Sequence, residues 1–140
     1  MKTTLIALFP LIVLSITYIV VCVLNAAYVK LSGRILHGSV VSWKNSFIFA
    51  LTVTVLMLIV RMATVAEGIS VPLTLALSLS FVLYSTFGGW FFSTRGVTKQ
   101  GQPLGWLGGV RLSALSFLLF ALTVVLVNGT VRIIANAGQS

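Results

Sequence analysis

The stretch that decides the fold is residues 112–131, LSALSFLLFALTVVLVNGTV, which carries no charge and lies between Arg111 and Arg132. An α-helix rises about 1.5 Å per residue and the hydrocarbon core of a bilayer is about 30 Å thick. About 20 apolar residues therefore suffice to cross it. Residues 112–131 have this length and this apolar character, so they are predicted to form a membrane span.

Three further segments resemble it: 3–25, 46–66 and 69–92, in which Arg61 is the only charge. The connections are at most about 20 residues long, too short for a soluble domain, since domains rarely fall below about 50 residues. The apolar run after Lys2 is longer than that of a signal peptide, so we expect it to be retained as a span. The sequence predicts an all-α integral membrane protein, one domain over 1–140, whose four transmembrane helices form an antiparallel bundle.

The composition agrees with this fold and excludes several kinds of site. Of the 140 residues 59% are hydrophobic and only 7% are charged, whereas soluble proteins average roughly a quarter charged residues. The single acidic residue, histidine and cysteine are Glu67, His37 and Cys22. They cannot supply paired carboxylates, a zinc site or a Cys/His nucleophile pair. We therefore expect no enzyme, no catalytic residue, no metal and no cofactor.

Basic residues indicate the orientation of the chain. The connections 26–45 and 93–111 must lie on one side of the membrane, and each carries three basic residues, which are Lys30, Arg34, Lys44, Arg95, Lys99 and Arg111. The other side has Lys2, Arg61 and Arg132 against Glu67. The positive-inside rule places both connections in the cytoplasm and both termini outside, as in a bacterial inner membrane protein. Scattered basic residues without a soluble scaffold argue against nucleic-acid binding and favour contact with membrane lipids.

Aromatic residues mark the same side of the membrane. Tyr28, Trp43, Trp90 and Trp106 all fall near the edge served by the connections 26–45 and 93–111. Rings with an apolar body and one polar group favour the membrane–water interface. These four residues are predicted to be interfacial anchors.

A shift of 63 residues aligns the two halves of the chain. Gly33, Gly38 and Trp43 then fall on Gly96, Gly101 and Trp106. A tandem pair of two-helix units would produce this pattern, and so would independent selection of similar loop residues. The sequence leaves both explanations open.

Small and weakly polar residues recur on one face of each span. We predict a helix-packing stripe that includes Ser78, Ser85, Gly89, Ser113, Ser116 and Thr123. Helices in lipid associate through close packing and interhelical hydrogen bonds, which small residues permit. The alternative is that these hydroxyls line a polar pathway.

One charge cluster is predicted at the outer edge, where Arg61, Glu67 and Arg132 lie at the ends of spans. Ion pairs between Glu67 and either arginine would tie helix ends together. The alternative is a role in transport or gating, because ionisable groups in a membrane are functional candidates.

These features favour a small non-enzymatic accessory, assembly or scaffold subunit that packs against other integral membrane proteins or against itself. The alternative is a small channel or carrier acting as an oligomer, with Arg61 and Glu67 in gating or transport. A protein that protects the cell from a membrane-acting toxin is compatible with the composition, but no residue favours it.

Overall fold

A computed structural model describes residues 2–36, 38–68 and 71–137 of the chain. The elements in chain order are α1 (Lys2–Ile35), β1 (Ser39–Val40), α2 (Trp43–Ala66), α3 (Leu73–Arg95), β2 (Val97–Thr98) and α4 (Gly105–Ala137). Each of the four helices contains a stretch long and apolar enough to span a membrane. The prediction of four such helices is confirmed.

The helices form a bundle in which α1 contacts α2 and α4, and α3 packs most extensively against α4. Helix α2 approaches α3 through aromatic side chains. The ring of Phe49 lies 4.7 Å from that of Phe92 and 5.1 Å from that of Tyr84, measured between centroids. Such aromatic pairs add about 0.5–1.5 kcal/mol beyond the burial of their area, so Phe49 holds α2 against α3.

The two short strands join the connections at one end of the bundle. They pair antiparallel, with Ser39 opposite Thr98 and Val40 opposite Val97. The turn after β2 places Gly101 at φ 80°, a conformation that favours glycine, and its N–H donates to the carbonyl of Thr98 (2.9 Å). We call this end, where α1 and α3 end and α2 and α4 begin, the junction end.

Burial divides the bundle into two parts. The closed half, next to the junction end, comprises 25–35, 43–53, 84–95 and 105–116. The open half comprises 12–24, 54–66, 71–83 and 117–136. Phe49, Phe92 and Leu112 in the closed half are fully buried, whereas no described side chain of the open half is buried. The four helices therefore pack closely over only about half of their length.

The helices differ from the predicted spans mainly at the junction end. Helix α1 continues to Ile35 rather than ending at residue 25, and α4 begins at Gly105 rather than at residue 112. The connections 26–45 and 93–111 are consequently much shorter than predicted. A helix continues for as long as its backbone hydrogen bonds continue, even through polar residues. Hydropathy marks only the apolar stretch and therefore misses these helix ends. The predicted start of the third span, residue 69, lies outside the described residues, and α3 begins at Leu73.

The 63-residue repeat agrees with the helices and not with the strands. Both halves of the chain run helix, strand, helix, and Trp43 opens α2 just as Trp106 lies at the second position of α4. The counterpart of β1 would be residues 102–103, but β2 lies at residues 97–98. The two units therefore share the order of their elements but not the position of their strands.

Candidate functional site

A polar layer joins α1 to α3 and α4, within the closed half and at its border with the open half. Three side-chain hydrogen bonds form it: Tyr84 to the Asn25 amide oxygen, Ser116 to the Ser32 hydroxyl (3.0 Å), and Tyr28 with the Thr123 hydroxyl (2.6 Å). Asn25, Ser32, Tyr84 and Ser116 are buried. Buried polar groups are costly without partners, so these bonds fix how the helices meet.

Helices α3 and α4 cross with their backbones in contact. A Cβ added to Gly109 would lie 2.9 Å from the carbonyl oxygen of Gly88 and 2.8 Å from that of Gly89. A Cβ on Gly88 would lie 2.2 Å from the Cβ of Ser113. Ser113 Oγ donates to the Gly109 carbonyl (2.9 Å) and lies 3.3 Å from the Ser85 carbonyl. Only glycines permit this approach, as at close helix contacts in membrane proteins.

The predicted packing stripe is spread over different environments. Ser85, Gly89, Ser113 and Ser116 are buried in the closed half, and Thr123 is half-buried against Tyr28. Ser78 is exposed in the open half and donates to the Thr74 carbonyl of its own helix (2.9 Å). Ser78 lies farther from the junction end than Ser85, in the part of α3 where no described side chain is buried.

Sequence reasoning missed Gly88, Gly109 and the Asn25–Tyr84 pair. Paired glycines, at 88–89 and at 108–109, were the available signal for the α3–α4 crossing. The predicted first span ends at Asn25, but α1 continues to Ile35, and the Asn25 side chain is buried inside the bundle. The pairing of Asn25 with Tyr84, 59 positions away, could not be inferred without the helix arrangement.

The predicted aromatic anchors separate into two groups. Trp43, Trp90 and Trp106 are each more than half exposed near the junction end. Tyr28 instead lies within α1, half-buried, with its hydroxyl bonded to Thr123 and its ring 6.3 Å from that of Phe120. Tyr28 therefore packs between α1 and α4, because α1 continues past it.

Basic side chains surround a cavity of about 310 Å³ at the junction end. Lys30, Arg34 and Lys99 line it together with Gly33 and residues 39–41. Lys30 Nζ donates to the Val41 carbonyl (2.5 Å). Arg34 lies in the last turn of α1, where a cation interacts favourably with the helix dipole.

Arg95, at the end of α3, is held differently. Its guanidinium carbon lies 4.5 Å from the centroid of the Phe91 ring, and its carbonyl accepts a hydrogen bond from the Asn45 side-chain amide (3.1 Å). The cation–π contact with the Phe91 ring stabilises the Arg95 guanidinium without an acidic partner. The hydrogen bond from Asn45 fixes the backbone of Arg95.

The predicted outer-edge cluster is not brought together by ion pairs. Arg61, Glu67 and Arg132 are all exposed. Over the described residues no ion pair joins Glu67 to either arginine. The three residues thus lie at the far end of the bundle from the junction end without forming a site.

Several exposed hydroxyl groups on the helices already donate hydrogen bonds within their own helix. Thr17, Thr52, Ser78 and Thr130 each donate to a carbonyl of their own helix, four residues earlier. Within 2–36, 38–68 and 71–137 no three His, Cys, Asp or Glu residues come together to hold a metal ion. Cys22 is half-buried in α1, and His37 lies outside the described residues. The side-chain hydrogen bonds of the polar layer therefore serve to connect one helix to another.

No family model, curated protein or solved structure matches this chain.

Proposed function

We propose that the chain is an integral protein of a bacterial inner membrane, with all four helices crossing the bilayer and the junction end in the cytoplasm. Exposed apolar side chains on every helix support this placement, because lipid tails would cover them. Six basic residues lie at or near the junction end, and only three lie elsewhere. The positive-inside rule then puts both termini outside.

This topology is tested by labelling single cysteines in intact cells with a membrane-impermeant maleimide, in a Cys22→Ala background. Glu67→Cys should react in intact cells, and Lys99→Cys only after the cells are permeabilised. The opposite pattern would reverse the orientation, and labelling of both in intact cells would exclude the four-span topology.

Within the membrane, the function that the geometry supports best is a non-enzymatic accessory, assembly or scaffold subunit. The observation that carries this proposal is the contrast between the closed and open halves. Val125 and Ile133 on α4 are 67% and 71% exposed, in the stretch 124–136 where every side chain is exposed. Helices in lipid associate by close packing, so these exposed segments offer faces to the helices of another membrane protein.

The test places a photo-crosslinking amino acid at Val125, at Ile133 and, as a control, at Leu107. Leu107 is 61% exposed on the same helix but lies in the closed half. We expect the two open-half positions to capture one different membrane protein that also co-purifies stoichiometrically in mild detergent, and Leu107 to capture none. Capture of a second copy would indicate self-association instead, and equal capture at all three positions would contradict the proposal.

A channel or carrier has less support. The hydroxyls named above donate to their own helices, and Arg61 and Glu67 are exposed. This alternative predicts solute flux into liposomes by the purified chain, changed by Arg61→Ala or Glu67→Gln. Solute flux that depends on these residues would favour a channel or carrier over an accessory subunit.

A further inference from the structure

The cavity at the junction end is lined by positive charges that no nearby acidic side chain neutralises. Lys30, Arg34 and Lys99 line it. The only acidic side chain of the protein is Glu67, which follows the opposite end of α2. At about 1.5 Å per residue the 24-residue helix separates them by about 36 Å, more than three Debye lengths at physiological salt. No acidic side chain of the chain therefore lies close enough to neutralise these cations.

The fold holds the ammonium group of Lys30 and the backbone of Lys99 in place. Lys30 Nζ donates to the Val41 carbonyl and lies 5.8 Å from the centroid of the Trp43 ring. An ammonium group has three N–H donors, so donors remain for a ligand. Lys99 is fixed through its backbone N–H, which donates to the Gly38 carbonyl (3.0 Å) on the neighbouring connection. The pairing of the two connections thus builds the cavity.

Lys30 is not needed to end a helix at the junction end. Both α1 and α3 have an arginine in the last turn, Arg34 and Arg95, where a cation interacts favourably with the helix dipole. Under the 63-residue shift, however, Ser93 occupies the position of Lys30. Helix termination therefore accounts for Arg34 but not for Lys30.

We propose that this cavity binds a phosphate group. Three cations exceed the charge of one carboxylate and suit a phosphate, to which Arg presents a planar fork of donors and Lys a point charge. The exposed Trp43 and Trp106 lie at the same end, at the depth where aromatic rings meet lipid headgroups. The phosphate of an anionic lipid is thus one source and inorganic phosphate is the other. The lipid form rests on the membrane placement proposed above, but neither form depends on the accessory role.

Native mass spectrometry of the full chain in detergent tests the proposal with three probes: phosphatidylglycerol, phosphatidylcholine and inorganic phosphate. The site variant is Arg34→Gln with Lys99→Gln. Both side chains are exposed, so the fold should persist, and an unchanged helical circular dichroism spectrum verifies it. The matched control is Arg61→Gln with Arg132→Gln, which removes the same two charges at exposed positions of the open half.

We expect the wild type and the control to bind phosphatidylglycerol more tightly than phosphatidylcholine. The site variant should raise the Kd for phosphatidylglycerol about 30-fold, from the loss of two basic contacts. If inorganic phosphate binds the wild type and displaces the lipid, the free anion is the ligand. Equal losses in the two variants, or no preference and no phosphate binding in the wild type, would overturn the proposal. Flotation of the chain with vesicles of either lipid tests the membrane placement separately.

Discussion

The closed and open halves of this bundle are made from the same kinds of residue and differ in how they pack. In the closed half, Gly88 and Gly109 bring two backbones into contact, and Tyr84 bonds to Asn25 across the bundle. In the open half, Gly129 has no atom within 4 Å of an added Cβ, and Ser78 bonds only to its own helix. Apolar content thus does not decide where helices meet; the placing of glycines and of pairable polar groups does.

The difference also separates two roles along each helix. The closed half fixes the relative positions of the four helices and builds the junction end. The open half leaves apolar faces that lipid or another protein can cover. Three pairs of substitutions test this difference, each pairing a residue in one half with a residue of the same type in the other half.

The largest effect is expected at Gly88. Gly88→Ala would place a methyl group 2.2 Å from the Cβ of Ser113, so α3 and α4 must separate. Overpacking of this kind costs about 3 kcal/mol, and we expect a markedly lower thermal unfolding midpoint in detergent. The control, Gly129→Ala, meets open space and should leave the midpoint unchanged or slightly raised. Similar midpoints for the two variants would remove the basis for a closed half.

A smaller effect is expected from Tyr84→Phe, which removes the hydroxyl that bonds to Asn25. Asn25 would stay buried without that partner, at a cost of about 1–2 kcal/mol. Tyr18→Phe makes the same chemical change on α1 in the open half, where the side chain is half-buried. Equal shifts in the unfolding midpoint would show that the Tyr84–Asn25 hydrogen bond does not stabilise the closed half.

The smallest effect is expected from Ser116→Ala. Ser116 donates to the Ser32 hydroxyl at 3.0 Å and also to the Leu112 carbonyl, and both serines are buried. Interhelical hydrogen bonds in membrane proteins average about 0.6 kcal/mol. The control is Ser78→Ala, at an exposed serine, and it should have no measurable effect on the same assay. A larger loss from Ser78→Ala would show that the open half packs too.

Sequence analysis predicted the number of helices because a 20-residue apolar run is a strong signal in itself. It also identified Ser85, Gly89, Ser113 and Ser116, since small residues three or four positions apart share a helix face. It extended the stripe to Ser78, because periodicity continues along a helix whether or not a neighbour is present.

What the sequence could not provide depends on contacts between distant residues. Local hydropathy marks apolar stretches and not helix ends, so it stopped α1 about ten residues early and read Tyr28 as an interfacial residue. The meeting of Lys99 with Lys30 and Arg34 depends on the pairing of β1 with β2. Two-residue strands leave no periodic pattern from which that pairing could be predicted.

The most direct test of the division into halves is a nitroxide scan along α4, residues 110–134, in liposomes on a Cys22→Ala background. Accessibility to oxygen and to a water-soluble nickel complex would be measured at each position. Over 110–116 we expect oxygen accessibility to vary with the helical period and to be lowest at the buried Leu112, Ser113 and Ser116. Beyond residue 117 oxygen accessibility should be high at every position facing lipid, and accessibility to the nickel complex should be low. A helical period that continues undiminished to residue 134, or nickel accessibility throughout, would contradict the account.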